Sequence, residues 1–227
     1  MSLAIEEMVV HHQPAGGGEP RTIGPLTVRI DPGEIVGLAG PSGSGKTTAA
    51  QVLAGIRAPD AGRRLLDGRP TTRWGWSAPP EVRRRVQLVP QLPHLACDPR
   101  LTLRRSLAIP LRRHRISYHQ GLEWLNRCEF DPALLDRRPD QVSGGQLQRF
   151  VLARALTVGP DHLVVDEATS AQDAITTATI ARLLRTVATD GTGVLLISHD
   201  TTLLDQLCSR QVAMDQEVQR YRSAPLE

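Results

Sequence analysis

The sequence predicts an α/β fold, with a mostly parallel central sheet, helices packed against it and a helical lobe inserted into the chain. Three observations carry that expectation. In the second half, short apolar runs such as Gly193 to Ile197 alternate with amphipathic stretches such as the one placing Ile180, Leu183, Leu184 and Val187 on one face. Earlier, Ile35-Val36-Gly37-Leu38-Ala39 reads as a buried strand that runs into a glycine-rich loop and then a helix, Thr47 to Leu53, closed by Gly55. Between about Leu92 and Pro139 the chain holds helical patches, broken at Pro110 and Pro132. At 227 residues and 40% hydrophobic, it can bury a real core as one compact unit.

The remaining elements follow in order. Leu3 to Val10 and Leu26 to Ile30 read as strands around a flexible segment, Pro14 to Pro20. Leu65-Leu66-Asp67-Gly68 reads as a strand and turn, and Val86 to Pro90 as another short apolar strand. Leu163-Val164-Val165 is a strand that ends in Asp166 and Glu167. No internal repeat or heptad pattern appears.

Composition narrows the setting. Cys97, Cys128 and Cys208 are odd in number, widely spaced and form no CxxC pattern, which points to a reducing compartment. The first residues show no basic segment followed by an apolar core, so no signal peptide is expected. No apolar run approaches the roughly 20 residues that span a bilayer. The net charge is +3, and 14 arginines fall between Arg57 and Arg115. They read as a solvated face or as a docking surface. With aromatics at 3%, base-stacking platforms are scarce and nucleic acid is not an expected partner.

Lys46 is the one lysine among 27 Lys and Arg residues. It sits in Gly40-Pro41-Ser42-Gly43-Ser44-Gly45-Lys46-Thr47-Thr48, the pattern GxxxxGK[ST] of a phosphate-binding loop. The glycines let backbone N–H groups turn inward around phosphates, and the next helix points its positive end at them. A compact ammonium can reach bridging phosphate oxygens, where the planar fork of arginine is bulkier and differently directed. Lys46 would contact the β and γ phosphates, and the Thr47 hydroxyl would ligate Mg2+.

Further motifs fall downstream. Val142-Ser143-Gly144-Gly145-Gln146 precedes an amphipathic helix with Leu147, Phe150, Val151, Ala155 and Val158 on one side. Ser143 is a natural N-cap, and the two glycines allow backbone N–H groups close to an anion. Alone, this motif could be only a cap and a tight turn. His199 follows the strand ending at Ile197 and precedes a helix carrying Leu203, Leu204 and Leu207.

Taken together, these motifs resemble the nucleotide-binding subunits of ABC transporters, over nearly the whole chain and in order. GPSGSGKTT looks like the Walker A motif, VSGGQ like the family signature, and Leu163 to Glu167 like the Walker B strand end. Gln91 matches the Q-loop glutamine, Ser170-Ala171-Gln172-Asp173 the D-loop, and His199 the switch histidine. The stretch from Asp98 to Thr102 and the block Leu135 to Pro139 look closest to importers of dipeptides, oligopeptides and nickel. Some positions depart from the pattern. Pro90 replaces the usual phenylalanine, Val142 a leucine and His162 an aliphatic residue, and Val10-His11-His12 stands where relatives carry an aromatic against adenine.

The resemblance implies a P-loop NTPase fold of the ABC ATPase type: a core with an N-terminal antiparallel β subdomain, residues 1–91 and 160–227, and an α-helical signature subdomain, residues 92–159. It implies ATP and Mg2+, with the ion held by Thr47, Gln91 and Asp166. Asp166, at the carboxyl edge of a parallel sheet, suits the Mg2+ shell. Glu167, one residue on, is expected to point the other way and act as general base on the attacking water. His199 would donate to the γ phosphate, and Gln91 would report nucleotide state to the helical lobe. Ser143 and Gly145 would meet the nucleotide of a second ATPase subunit, and Gly144, Gln146 and Asp173 are also expected to bind nucleotide. His12 is a candidate for stacking on adenine, or else a solvated loop histidine. The implied partners are transmembrane permease subunits, helped in docking by Arg104, Arg105, Arg112 and Arg113, and an extracytoplasmic solute-binding protein. The implied place is the cytoplasmic face of the inner membrane. Alternatives are a soluble ATPase of this type acting on nucleic acid or ribosomes, and a small-molecule kinase.

Overall fold

A computed structural model describes residues 1–12, 20–167 and 174–214, without the side chains of 174–176. The segment 13–19, which includes most of the expected flexible stretch, and Ser170 to Asp173 lie outside the described residues.

Two sheets organise the described chain. The first has four strands in the order β2-β1-β4-β5, formed by β1 (Leu3–His12), β2 (Arg21–Ile30), β4 (Ala61–Leu66) and β5 (Arg69–Pro70), and every pairing in it is antiparallel. The second has five strands in the order β6-β7-β8-β3-β9, all paired in parallel. It comprises β3 (Ile35–Ala39), β6 (Val86–Val89), β7 (His162–Asp166), β8 (Gly193–Ile197) and β9 (Arg210–Ala213).

Strand periodicity explains the two cores. A parallel strand covered on both faces reads as a continuous apolar run, and successive side chains still enter opposite layers. Leu163, Val165, Val194 and Leu196 join a core shared with the helices of the inserted lobe. Val164, Leu195, Ile197, Val36 and Leu38 join the core under the antiparallel sheet and α1 (Lys46–Leu53). A buried arginine links those parts: Arg64 of β4 donates to the Leu53 carbonyl at 2.7 Å and to the Thr71 hydroxyl at 2.7 Å.

The helical lobe holds α3 (Leu103–His114), α4 (Tyr118–Arg127) and α5 (Gly144–Thr157), after a short α2 (Pro80–Arg85). Pro110 does not break α3, contrary to expectation. Leu103, Leu107 and Leu111 recur at helical spacing and are all buried in one core. Burying the three contributes about 4.5–9 kcal/mol together, which exceeds the roughly 3 kcal/mol that an interior proline costs. Pro132 likewise does not end a helix; it opens a 3-10 turn, Pro132–Asp136, capped by Asp131. The antiparallel strands run further than the apolar pattern suggested, because His11↔Thr22 and His12↔Arg21 continue the ladder. The last helices are α6 (Ala174–Thr189), with Ile180, Leu183, Leu184 and Val187 buried, and α7 (Thr201–Leu207).

Candidate functional site

Adjacent parallel strands deliver the site to one edge. Asp166 is level with Ile197, and Leu38 is also level with Ile197, so the chain leaving β7, β8 and β3 emerges side by side. On the outer flank Val89 of β6 is level with Val165, which brings Gln91 to the same edge. The cleft there has a volume of about 640 Å³, and His12, Gln91, Lys46, Thr47, Glu167 and His199 are among its walls.

The glycine loop is shaped by what packs on it. Gly45 has φ 99° and caps α1, and a Cβ there would fall 2.5 Å from Ile23 of β2. Only glycine permits both that backbone and that approach. Lys46, Thr47 and Thr48 of the first turn of α1 line the cleft, and the positive end of the helix makes it favourable for anions. Lys46 is 5% exposed, and its ammonium donates to the Gly40 carbonyl at 2.8 Å and the Pro41 carbonyl at 2.9 Å.

Glu167 is the electrostatic hub. It lies just beyond β7 with φ 48°, and its amide donates to the Ile197 carbonyl. The left-handed backbone at Glu167 ends the extended conformation of the strand directly after Asp166. Its carboxylate accepts from His199 Nε2 at 2.7 Å and from Gln91 Nε2 at 2.5 Å, with the Lys46 ammonium 3.9 Å away. Asp166 lies deeper. Burial pushes its carboxyl above the ordinary value and Glu167 adds to this, while a hydrogen bond from Thr47 and the charge of Lys46 oppose it. Its Oδ1 is buried without a hydrogen-bond partner, as is Ser44 Oγ. A buried carboxylate oxygen left unmatched, on a carboxylate that the Thr47 hydroxyl also reaches, fits a hard divalent cation such as Mg2+.

His12 reaches the other end of the cleft, with Nε2 3.4 Å from the Thr48 hydroxyl and 3.0 Å from Arg57 Nη1. Sequence reasoning missed Arg57 and also Arg21, which pairs across the ribbon with His12 and lies 3.5 Å from the Gly43 carbonyl.

The structure does not bring every predicted residue together. Ser143, Gly144, Gly145 and Gln146 are not among the residues lining the cleft. They start α5 as a reciprocal cap: Ser143 Oγ accepts from Gln146 N at 3.2 Å, and Gln146 Oε1 accepts from Ser143 N at 2.9 Å. Asp173 lies outside the described residues. Several arginines of the basic stretch have internal work. Arg104 binds Asp136 and Tyr118, and Arg85 joins Asp67 to Asp161. Arg105 and Arg112 remain exposed along α3. Among the described residues, no helix is long and apolar enough to cross a membrane.

The chain is similar to known proteins over most of its length. The pattern of the ABC transporter family matches residues 23–170. The nickel import ATP-binding protein NikE of Escherichia coli O6:K15:H31 is 36% identical over 227 residues, covering 95% of this chain and 84% of that protein. Its counterpart in Escherichia coli K12 is 36% identical over 217 residues, covering 90% and 81%. Among solved structures, the dimeric ATP-binding cassette MJ0796 in a post-hydrolysis state bound to ADP and Pi superposes with a TM-score of 0.81, at 25% identity and 94% coverage of both chains. An ATP-binding subunit of another ABC transporter superposes with a TM-score of 0.79 at 22% identity, covering 94% of this chain and 86% of that one, a likeness of fold. The chain belongs to the ABC transporter family, as an ATP-binding and ATP-hydrolysing subunit.

Proposed function

We propose that the chain powers import of nickel, a peptide or a similar small solute, by closing on a second ATPase subunit when ATP binds. The observation that carries the catalytic part is the convergence of His199, Gln91 and Lys46 on the Glu167 carboxylate. Lys46 exchanges the Gly40 and Pro41 carbonyls for phosphate oxygens, and the N-terminus of α1 adds its amides. Glu167 orients the attacking water and accepts its proton, and His199 turns its ring N–H towards the γ phosphate. Thr47, Asp166 and Gln91 would hold Mg2+, which when bound neutralises phosphate charge. His12 supplies a surface for the adenine ring.

Ser143, Gly144, Gly145 and Gln146 are assigned to the partner's nucleotide, as is Asp173. Their placement away from this cleft, on an exposed capped helix start, supports action in trans. Residues 1–91 and 160–227 form the ATPase core in this reading, and 92–159 the subdomain that carries the signature. The likeness to NikE proteins supports import, with permease subunits and a solute-binding protein as companions and the cytoplasmic face of the inner membrane as the place of work. It also favours transport over action on nucleic acid or ribosomes. The test is mass in solution: Glu167→Gln saturated with ATP and Mg2+ should double in mass by light scattering, alone or with a sister subunit. Single chains under all these conditions would refute the reading.

A further inference from the structure

The base end of the cleft is braced by a residue that phosphate chemistry does not use. Arg57, half-buried in the connection between α1 and β4, meets the end of β1 with both arms of its guanidinium. Nη1 lies 3.0 Å from His12 Nε2, and Nη2 donates to the His11 carbonyl at 3.2 Å. A guanidinium has donors only, so at this contact His12 Nε2 is the acceptor and the ring proton sits on Nδ1. The Thr48 hydroxyl approaches the same nitrogen at 3.4 Å. The connection is itself anchored to β1: Asp60 N donates to the Val9 carbonyl at 2.8 Å, and His11 N donates to Asp60 Oδ2 at 2.6 Å.

An exposed imidazole at a strand end has rotamers to lose when a ligand immobilises it, and that loss is subtracted from affinity. Arg57 removes the loss beforehand. We infer that Arg57 is a positioning residue for the nucleotide, holding the His12 ring oriented as the surface that receives the base. The inference rests on the reading of His12 as the adenine platform. It also separates the two ends of the ligand, since Arg57 acts on the base through His12 and leaves the phosphate loop alone.

The experiment measures ADP affinity of the full chain by calorimetry, with tripolyphosphate as a competitor that lacks a base. Arg57→Ala should weaken ADP about 2- to 10-fold, the worth of one hydrogen bond, and leave tripolyphosphate unchanged. In a His12→Phe background, whose ring stacks without needing a hydrogen bond, Arg57→Ala should have no effect on ADP. Saturated turnover should hold while KM for ATP rises. Equal weakening in both backgrounds, or equal weakening of tripolyphosphate, would overturn the inference by showing that Arg57 acts through the loop alone. If His12→Ala weakens ADP and Arg57→Ala does not, the inference fails while the platform stands. If His12→Ala changes nothing, the platform fails and the inference with it.

Discussion

His199 Nε2 donates to Glu167 Oε1 at 2.7 Å, joining the loop after β8 to the first residue beyond β7. Since β7 and β8 are adjacent in the sheet, this bond sits where the γ phosphate and its attacking water would lie if Lys46 marks the phosphates. The carboxylate is 8% exposed, so its charge is balanced by the protein's own donors rather than by bulk water. In the proposed reading, bound phosphate competes with it for the same donors.

Glu167→Gln removes the proposed base and the competing charge together. Turnover should fall by about 10²-fold or more, the usual loss for a positioned base, while ATP affinity holds or rises because Lys46 and His199 lose a rival acceptor. Phosphate release at saturating ATP, set beside equilibrium binding, separates the two effects. Retained turnover would show that another group takes the proton.

His162 opens β7 with both ring nitrogens buried and without hydrogen-bond partners, and burial pushes its pKa down to about 4. The unfolded chain, with an ordinary histidine near 6.5, binds the proton more readily, so stability is complete above about pH 6.5 and falls as pH drops towards 4. The loss approaches about 3 kcal/mol at the acid end. His162→Leu should flatten this part of the pH profile, and also stabilise the protein near neutrality by removing unmatched polar atoms. Urea midpoints of both proteins between pH 7 and 4 check this. A parallel decline in the two would mean that His162 does not report the acid sensitivity.

Pro110→Ala should stabilise the chain by about 1–2 kcal/mol. The substitution restores a donor for the Ser106 carbonyl and removes the ring from the turn, partly offset by greater freedom of the unfolded chain. Thermal unfolding should move up by a few degrees. A lower midpoint would mean that the lobe packs against the proline ring itself.

The legible parts of this chain are those where local chemistry and packing agree. The apolar runs at Ile35–Ala39 and Gly193–Ile197 are buried parallel strands, and the turn at Gly45 has the backbone that its glycine permits. The gathering of Lys46, Gln91, Glu167 and His199 followed from strand ends, because parallel neighbours release their loops at one edge. Other features depend on partners distant in sequence. Arg21 and Thr22 extend β2 where His12 and His11 lie opposite, and neither side chain adds to the apolar pattern that marks the strand in the sequence. Arg57 owes its contacts to the packing of the connection after α1 against the end of β1, which is distant in sequence. Pro110 misled because the local cost of proline is plain in sequence, whereas the buried leucines that offset it are seen only in the packed lobe.

Ser143 poses the sharpest choice between structure and chemistry. Its hydroxyl caps α5, and that alone would explain a serine at this position. Ser143→Asp separates the two roles. Aspartate caps as well as serine and suits the positive helix end, so the thermal midpoint should hold or rise slightly. A carboxylate facing a partner's γ phosphate, however, sets like charges together in a closed, poorly hydrated seam, where repulsion costs several kcal/mol. ATPase activity should therefore fall by at least about 10²-fold in a protein of undiminished stability. If activity survives alongside the cap, the motif is a helix start and nothing more, and the nucleotide must be covered by other residues.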